Sequence, residues 1–225
     1  MARIARAVAA GFPHHVVQRG NNRENVFIDD EDREKYINLL KKYSTERDAR
    51  ILAYCLMSNH VHLLIKPKEN DSLYKMMQGV TLCYTQFTNR KYSRTGRLWE
   101  SRYHSCIVDK DSYLWAVARY IETNPVRARM VKKAEDYAYS SALAHTMGKP
   151  DDLLNEELIA ETQRKDYREF IRETSTEKDR ELIRYHTRTG KPLGDETFMK
   201  RMERKTGRDL ALRPRGRPRK KGGNK

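Results

Sequence analysis

Residues 49–67, ARILAYCLMSNHVHLLIKP, contain two apolar runs that are separated by Ser58 and Asn59. Apolar runs of this length, bounded by turn residues, are typical of neighbouring strands in a sheet. We predict one strand over 50–56 and a second over 60–66, joined by a tight turn. Pro67 ends the second strand because it has no amide hydrogen to donate to a sheet. The predicted hairpin is the centre of the fold.

Further elements flank this hairpin on both sides. The segment 14–19, HHVVQR, contains β-branched residues and predicts a strand. Residues 29–47 and 72–92 carry apolar side chains three and four positions apart, which indicates helices. A strand over 99–108 and a helix over 113–124 complete the series. The order β-α-β-β-α-β-α predicts an α+β fold, a ferredoxin-like antiparallel four-stranded sheet with the helices packed against one face.

The composition changes after about residue 150. Charged helices with few core positions are predicted over 151–173, 177–187 and 195–205. The last segment, 213–225, reads RPRGRPRKKGGNK and contributes +7 of the formal net charge of +15, leaving +8 for residues 1–212. We expect three units, a sheet domain over 1–148, a basic helical extension over 149–212 and a disordered basic tail over 213–225.

An excess of cationic side chains points to a polyanionic partner. The chain has 46 Lys and Arg residues against 31 Asp and Glu residues. Clustered cations gain affinity by releasing counterions from phosphates, so nucleic acid is the expected partner, with an inert basic surface as the alternative. The scattered Cys55, Cys83 and Cys106 indicate reduced thiols. No stretch approaches the ~20 apolar residues that span a bilayer, and we expect a cytoplasmic, nucleoid-associated protein with no membrane partner.

The sharpest local pattern is His60-Val61-His62, on the second strand of the hairpin. Side chains at positions i and i+2 of a strand point to the same face, so the two imidazoles lie about 7 Å apart at their Cα atoms. Two such rings can converge on one divalent ion. The alternative is a pair of packed, hydrogen-bonded histidines with no metal.

The helix over 113–124, read from DSYLWAVARYIETNP, carries a second candidate group. Leu114, Val117 and Ile121 belong to its core stripe, and Tyr120 and Asn124 lie one turn apart on the flank of that stripe. A flanking tyrosine is ordinarily an amphipathic packing residue. Near a metal-bound phosphate, however, the phenol becomes an effective nucleophile.

Four blocks in the correct order resemble the REP-associated tyrosine transposases, a branch of the single-tyrosine HUH transposases. The blocks are ARIARAVAAGFPHHVVQRGNNRENVF, YCLMSNHVHLLIKP, GRLWESRYHS and RYIETNPVRARMV. The resemblance covers roughly residues 1–145 and resumes at GKPLGDETF. It implies that His60 and His62 bind Mg²⁺ or Mn²⁺ and that Tyr120 is the nucleophile. Asn124 takes the place of a polar third ligand, although Pro125 could disturb the backbone there.

The resemblance implies transesterification on single-stranded DNA that is folded as a hairpin. Tyr120 would attack a phosphodiester, form a 5′-phosphotyrosine and release a 3′-OH, so that no nucleotide cofactor is required. We also expect a monomer, with a dimer as the alternative. Two other functions remain open, a structured DNA- or RNA-binding domain without catalysis and a His-x-His phosphodiesterase that uses water.

Candidate DNA contacts combine cations with side chains that stack on or hydrogen-bond to unpaired bases. In the sheet domain they are Arg19, Asn21, Asn22, Arg23, Arg97, Trp99, Arg102 and Arg127. Trp99 fits the core equally well. In the tail, Arg215 and Arg217 flank a glycine in RGRP, which resembles an AT-hook that reads a narrow minor groove. A tail with generic phosphate affinity is the alternative.

Overall fold

A single four-stranded antiparallel sheet organises the chain. The structure, a computed structural model, describes residues 6–173 and 175–210. The strands are β1 (His14–Arg19), β2 (Ala49–Met57), β3 (His60–Pro67) and β4 (His104–Ile107), in the spatial order β2-β3-β1-β4. All three pairings are antiparallel. The predicted hairpin, sheet and α+β class are confirmed.

Eight α-helices accompany the sheet in the described residues. They are α1 (Asp30–Glu46), α2 (Ser72–Lys91), α3 (Leu114–Glu122), α4 (Asn124–Arg127), α5 (Ala142–Met147), α6 (Arg164–Arg172), α7 (Glu177–Thr189) and α8 (Glu196–Thr206). α1 begins with a capping box, in which Asp29 and Asp32 each accept from the other's backbone amide. No helix among the described residues combines the length and apolarity needed to cross a membrane.

One face of the sheet is covered by α1 and α2. Val16, Leu56, Val61 and Leu63 point to this face and are buried against the two helices. Gly79 on α2 lets the helices approach closely, since a Cβ atom at this position would lie 2.4 Å from the Tyr43 ring of α1. This layer contains one of the two large hydrophobic cores.

The opposite face is covered as well, so the expectation of helices on one face is wrong. Leu52, Cys55 and Leu64 point to this side and are buried together with residues of α3, α6 and α7. All but one residue of β2 is buried, which requires apolar side chains on both faces. Continuous apolar runs such as those of the hairpin belong to strands covered on both sides.

Two predicted elements are shorter than expected. Residues 99–103 do not join β4, and Trp99 contributes only an isolated bridge to Gly20. Residues 151–160 are not helical, because this segment hydrogen-bonds to the edge strand β2 instead. The side chain of Asn155 accepts from the Ile51 amide at 2.7 Å, and Asp151 accepts from the Tyr54 hydroxyl at 2.8 Å. The segment thereby forms hydrogen bonds with polar groups of β2 that an uncovered edge strand would leave without a protein partner.

Candidate active site

Four histidines share one face of the sheet. Val17 is the cross-strand partner of His62 on one side and of His104 on the other, while His60 pairs with Arg19. His15 lies two residues before Val17 and so points to the same face. The His60 and His62 rings have centroids 5.0 Å apart, and the His15 ring stacks on His62 at 5.3 Å. The sheet register thus adds His15 to the predicted pair.

Each ring of the His60–His62 pair is held through its Nδ1 atom. Nδ1 of His60 lies 2.6 Å from Oδ1 of Asn59. Nδ1 of His62 lies 3.0 Å from Nε2 of His15. In both rings Nε2 is the nitrogen left to bind a ligand. A hydrogen bond at one imidazole nitrogen is the usual way in which a metal-binding histidine is oriented.

Burial keeps these imidazoles neutral. It lowers the pKa of His15 to about 3, and burial together with the nearby Arg19 and Arg127 lowers the pKa of His60 to about 4. Burial and the neighbouring rings hold the pKa of His62 well below its usual range. The neutral imidazole is the form that binds metal ions, so the pair is ready to act as a ligand at neutral pH.

Tyr120 packs against two of these rings, those of His62 and His15. Its ring centroid is 5.6 Å from that of His62 and 5.6 Å from that of His15, in both cases edge-on. α3 carries it there by packing Val117 and Ile121 into the core beneath the sheet. Tyr120 and the rings of His15, His60 and His62 line a cleft of about 860 Å³. A phenol and two same-face imidazoles therefore meet in one cleft large enough for part of a nucleic acid strand.

Asn124 stands one turn beyond Tyr120 and lines the same cleft. Its side-chain nitrogen donates to the carbonyls of Tyr120 and Ile121, at 2.9 and 3.0 Å. The amide oxygen is therefore the atom left to bind a ligand. Pro125 does not disturb the backbone here, since it occupies the first turn of α4, where a missing amide hydrogen costs nothing.

The donor set of this cleft suits a divalent ion. Within residues 6–173 and 175–210, no cluster of three or more His, Cys, Asp or Glu side chains could hold a metal. The possible ligands that line the cleft are His60, His62 and Asn124, together with His104, Glu100 and Glu181. Imidazole nitrogens suit transition-metal ions such as Mn²⁺, and oxygen donors suit both Mn²⁺ and Mg²⁺.

Two arginines contact Tyr120. The guanidinium of Arg127 lies 4.6 Å from the centroid of the tyrosine ring and donates to the Tyr120 carbonyl at 2.9 Å. Arg184 reaches the site from α7. Burial alone would lower the pKa of Arg184, but its hydrogen bonds to Tyr120 and Glu177 raise it. Arg127, predicted as a DNA contact, is thus largely engaged in supporting the tyrosine.

The other predicted DNA contacts fall into two groups. Arg19, Asn22, Arg23, Arg97 and Arg102 are exposed, Asn21 is half-buried, and Arg19 lines the cleft. Trp99, by contrast, is only 5% exposed, and its ring packs 6.0 Å from that of Tyr36. This burial favours the core interpretation, because the ring is not available for stacking on a base. Arg215 and Arg217 lie outside the described residues.

Sequence reasoning missed His15, Arg184 and Thr187. Adjacent histidines point to opposite faces of a strand, so the pair His14-His15 gives no local signal, and only the strand register shows that His15 faces His62. Thr187 contacts His15 across 172 residues of chain. No local motif predicts such a contact, because α7 is a charged helix with only scattered apolar residues.

Comparisons with known proteins identify the family of the chain. The family model described as "Transposase IS200 like" matches residues 10–124. One relative is a Haemophilus influenzae protein (strain ATCC 51907 / DSM 11121 / KW20 / Rd) that is named as a REP-associated tyrosine transposase. It is 30% identical to this chain over 102 residues, which cover 40% of this chain and 57% of that protein. The chain therefore spans little more than half of that relative. The resemblance drawn from the sequence is confirmed.

A solved structure has the same fold. It is described as a REP-associated tyrosine transposase bound to a REP hairpin. The likeness covers 72% of this chain and 96% of that chain, with a TM-score of 0.57 and 16% sequence identity. At this identity the match concerns the fold, a four-stranded antiparallel sheet with packed helices.

Proposed function

The chain belongs to the IS200-like transposase family, and we propose that it is a metal-dependent single-strand DNA endonuclease and strand transferase. The single observation that carries this proposal is the position of the Tyr120 ring, 5.6 Å from the ring of His62 in an open cleft. The phenol lies beside one ring of the neutral His60–His62 pair, and this combination of a nucleophile and metal ligands is what phosphodiester transesterification needs. Burial for packing alone would not require histidines on the sheet face opposite it.

Tyr120 is the proposed nucleophile. Its oxygen forms a bond to phosphorus while the bond from phosphorus to O3′ breaks. The phenolic proton is released, and the departing 3′ oxygen gains a proton to become a 3′-OH. The product is a 5′-phosphotyrosine, which conserves the energy of the broken bond so that a later 3′-OH can rejoin the strand. No nucleotide cofactor is therefore needed.

His60, His62 and Asn124 are the proposed ligands of the metal. When bound, Mg²⁺ or Mn²⁺ would polarise the scissile phosphate and stabilise the charge that develops on it. Arg127 holds the backbone of Tyr120, and Arg184 supplies a cation at its hydroxyl. Together these groups fix the attacking oxygen and the phosphate in one place, which is a large part of what a transesterification site provides.

The proposed substrate is DNA folded as a hairpin with single-stranded flanks. The solved structure of the same fold is described as bound to a REP hairpin, and this chain carries a formal net charge of +15. Arg19 lines the cleft, and exposed Arg23, Arg97 and Arg102 are further candidate phosphate contacts. We propose catalysis by residues 1–148, support from the extension over 149–212, phosphate binding by the tail over 213–225, and action as a monomer.

A denaturing gel tests the reaction. The full chain is incubated with Mn²⁺ and a labelled hairpin that carries single-stranded flanks. We expect a covalent protein–DNA species that Tyr120→Phe abolishes, and His60→Ala should abolish it too while leaving hairpin affinity within about threefold, because phosphate contacts dominate binding. Cleavage that survives Tyr120→Phe would mean hydrolysis by water, and binding without any product would mean a non-catalytic domain.

A further inference from the structure

A chain of buried hydrogen bonds leads from the candidate metal ligand His62 to the C-terminal helix α7. Nδ1 of His62 lies 3.0 Å from Nε2 of His15, and Nδ1 of His15 lies 2.8 Å from Oγ1 of Thr187. The Thr187 hydroxyl donates to the Ile183 carbonyl at 2.8 Å. His62 and Thr187 are each 4% exposed and His15 is 1% exposed, so water does not compete for these bonds.

The proton positions along this series of hydrogen bonds follow from its last member, the Ile183 carbonyl. The Ile183 carbonyl can only accept, so the single hydroxyl proton of Thr187 is committed to it and the hydroxyl oxygen accepts from Nδ1–H of His15. A neutral imidazole carries one N–H, so Nε2 of His15 is an acceptor. It takes its hydrogen bond from Nδ1–H of His62. The proton of His62 then sits on Nδ1, and Nε2 keeps its lone pair.

The neighbouring ligand shows the same arrangement by a shorter route. Nδ1 of His60 lies 2.6 Å from the side-chain oxygen of Asn59, the residue before it. An amide oxygen can only accept, so Nδ1 carries the proton and Nε2 of His60 is the free nitrogen. Both rings thus present an unprotonated Nε2 on the same face of the sheet. One ring relies on a neighbour in sequence, whereas the other relies on a helix 172 residues away from β1.

We propose that Thr187 and His15 are positioning residues that fix the tautomer of His62 so that its Nε2 can bind the metal. The inference rests on the proposed metal site and extends it to α7, which lies outside the segment 10–124 matched by the family. α7 packs against β4 and β1, so its docking brings Thr187 to His15. The C-terminal extension is thereby part of the metal site and not only a cover for the sheet.

Substitution of Thr187 by valine tests the proposal. Valine has nearly the same shape but cannot accept a hydrogen bond. We expect the affinity of the full chain for Mn²⁺, measured without DNA by electron paramagnetic resonance, to fall about 10- to 100-fold, the usual effect of removing such a partner. Thr187→Ser, which restores the hydroxyl, should recover most of that affinity. Hairpin affinity without metal should be the same in all variants.

The same helix offers a matched control. Thr189 also donates its hydroxyl to the carbonyl four residues before it, that of Tyr185, at 2.8 Å, but it is exposed and does not contact His15. Thr189→Val should leave Mn²⁺ affinity unchanged. An equal loss in both valine variants would attribute the effect to helix stability and overturn the proposal.

Imidazole ¹⁵N chemical shifts of the wild-type protein give a second readout that needs no folded variant. With no metal added, we expect His62 to be in the Nδ1–H tautomer. A predominant Nε2–H tautomer would refute the proposal, and so would a Thr187→Val protein that binds Mn²⁺ as tightly as the wild type. If wild-type protein forms no covalent species and binds no Mn²⁺, the proposed function fails, while the tautomer measurement still decides the hydrogen-bond chain.

Discussion

Adjacent histidines at the start of β1 have opposite environments and different consequences. His15 faces the active-site cleft, while His14 is buried on the other side of the strand. Nδ1 of His14 lies 2.8 Å from the Phe12 carbonyl, and its Nε2 accepts from the Ala9 amide at 3.2 Å. This pattern requires a neutral ring, since a proton on Nε2 would break the bond from Ala9. His14 therefore ties the segment before β1 to the sheet.

The neutral His14 predicts an acid-sensitive fold. Burial lowers the pKa of His14 to about 4, although the hydrogen bond to Phe12 acts in the opposite direction. Above the unfolded value near 6.5 neither state takes up a proton. Between pH 6.5 and about pH 4 only the unfolded state takes up a proton. The free energy of unfolding therefore falls as the pH falls, by about 1.4 kcal/mol per pH unit for one histidine.

Urea unfolding between pH 7.5 and 4.5 measures this dependence. His14→Gln keeps a donor and an acceptor but does not titrate, and it should flatten the pH dependence by about one proton. An unchanged slope in the glutamine variant would show that the acid sensitivity has another origin.

Arg184 of α7 forms a hydrogen bond with Tyr120, the proposed nucleophile. Arg184→Gln removes the cation at the Tyr120 hydroxyl, and we expect single-turnover formation of the covalent species to slow about tenfold, the equivalent of one charge-assisted hydrogen bond. Arg188, also exposed, lies one turn further along α7 and lines the same cleft. Arg188→Gln is therefore the control, and equal rates for the two variants would mean that Arg184 acts only through general DNA affinity.

At the scale of elements, α3 is fixed in place by a buried carboxylate. Glu122 is fully buried, two residues after Tyr120. It accepts hydrogen bonds from Ser141, from the ring of His145 and, at 2.7 Å, from the hydroxyl of Tyr167. These partners connect α3 to α5 and α6, so one side chain joins three helices beneath the active site.

Glu122→Ala should lower the free energy of unfolding by about 3 kcal/mol, because three buried polar groups lose their acceptor together. Denaturant unfolding monitored by circular dichroism measures the change. Glu173 also contacts α3, since its carboxylate lies 3.9 Å from the guanidinium of Arg119, but the Glu173 side chain is 70% exposed. Glu173→Ala should therefore cost less than about 1 kcal/mol. Similar losses in the two variants would contradict the role given to the buried cluster.

The contrast between these elements shows which features local sequence predicts. The hairpin was predicted correctly because its two apolar runs are bounded by turn residues, and α3 because its apolar residues recur with the helical period. The helix expected over 151–173 begins only at Arg164, because the preceding segment bonds to the edge of β2, and charged composition carries no signal for that contact. Likewise, His60, His62 and Tyr120 belong to recognisable motifs, whereas Glu122 and Thr187 derive their importance from contacts that only the folded chain makes.

At the scale of the whole molecule, charge is distributed unevenly along the chain. The segment 213–225 carries +7 of the net charge of +15 within 13 residues and contains no acid. Residues 1–212 carry the remaining formal +8, and exposed Arg19, Arg184 and Arg188 line the cleft. We therefore expect the tail to add affinity for any nucleic acid, while the choice of hairpin is made by the folded part.

Deletion of residues 213–225 should reduce the salt dependence of hairpin binding and leave single-turnover cleavage at saturating DNA unchanged. Each phosphate contact that is lost lowers the slope of log K against log salt by about 0.9 on a duplex stem. Filter binding between 50 and 300 mM NaCl measures that slope, and an unchanged value would show that the tail does not contact DNA.

The double variant Arg215→Lys, Arg217→Lys separates the two interpretations of RGRP, since lysine keeps the charge but reads a narrow minor groove less well. A loss of preference for A·T-rich stems at constant slope would identify minor-groove reading, whereas equal affinity for all stems would mean that the tail binds phosphates alone.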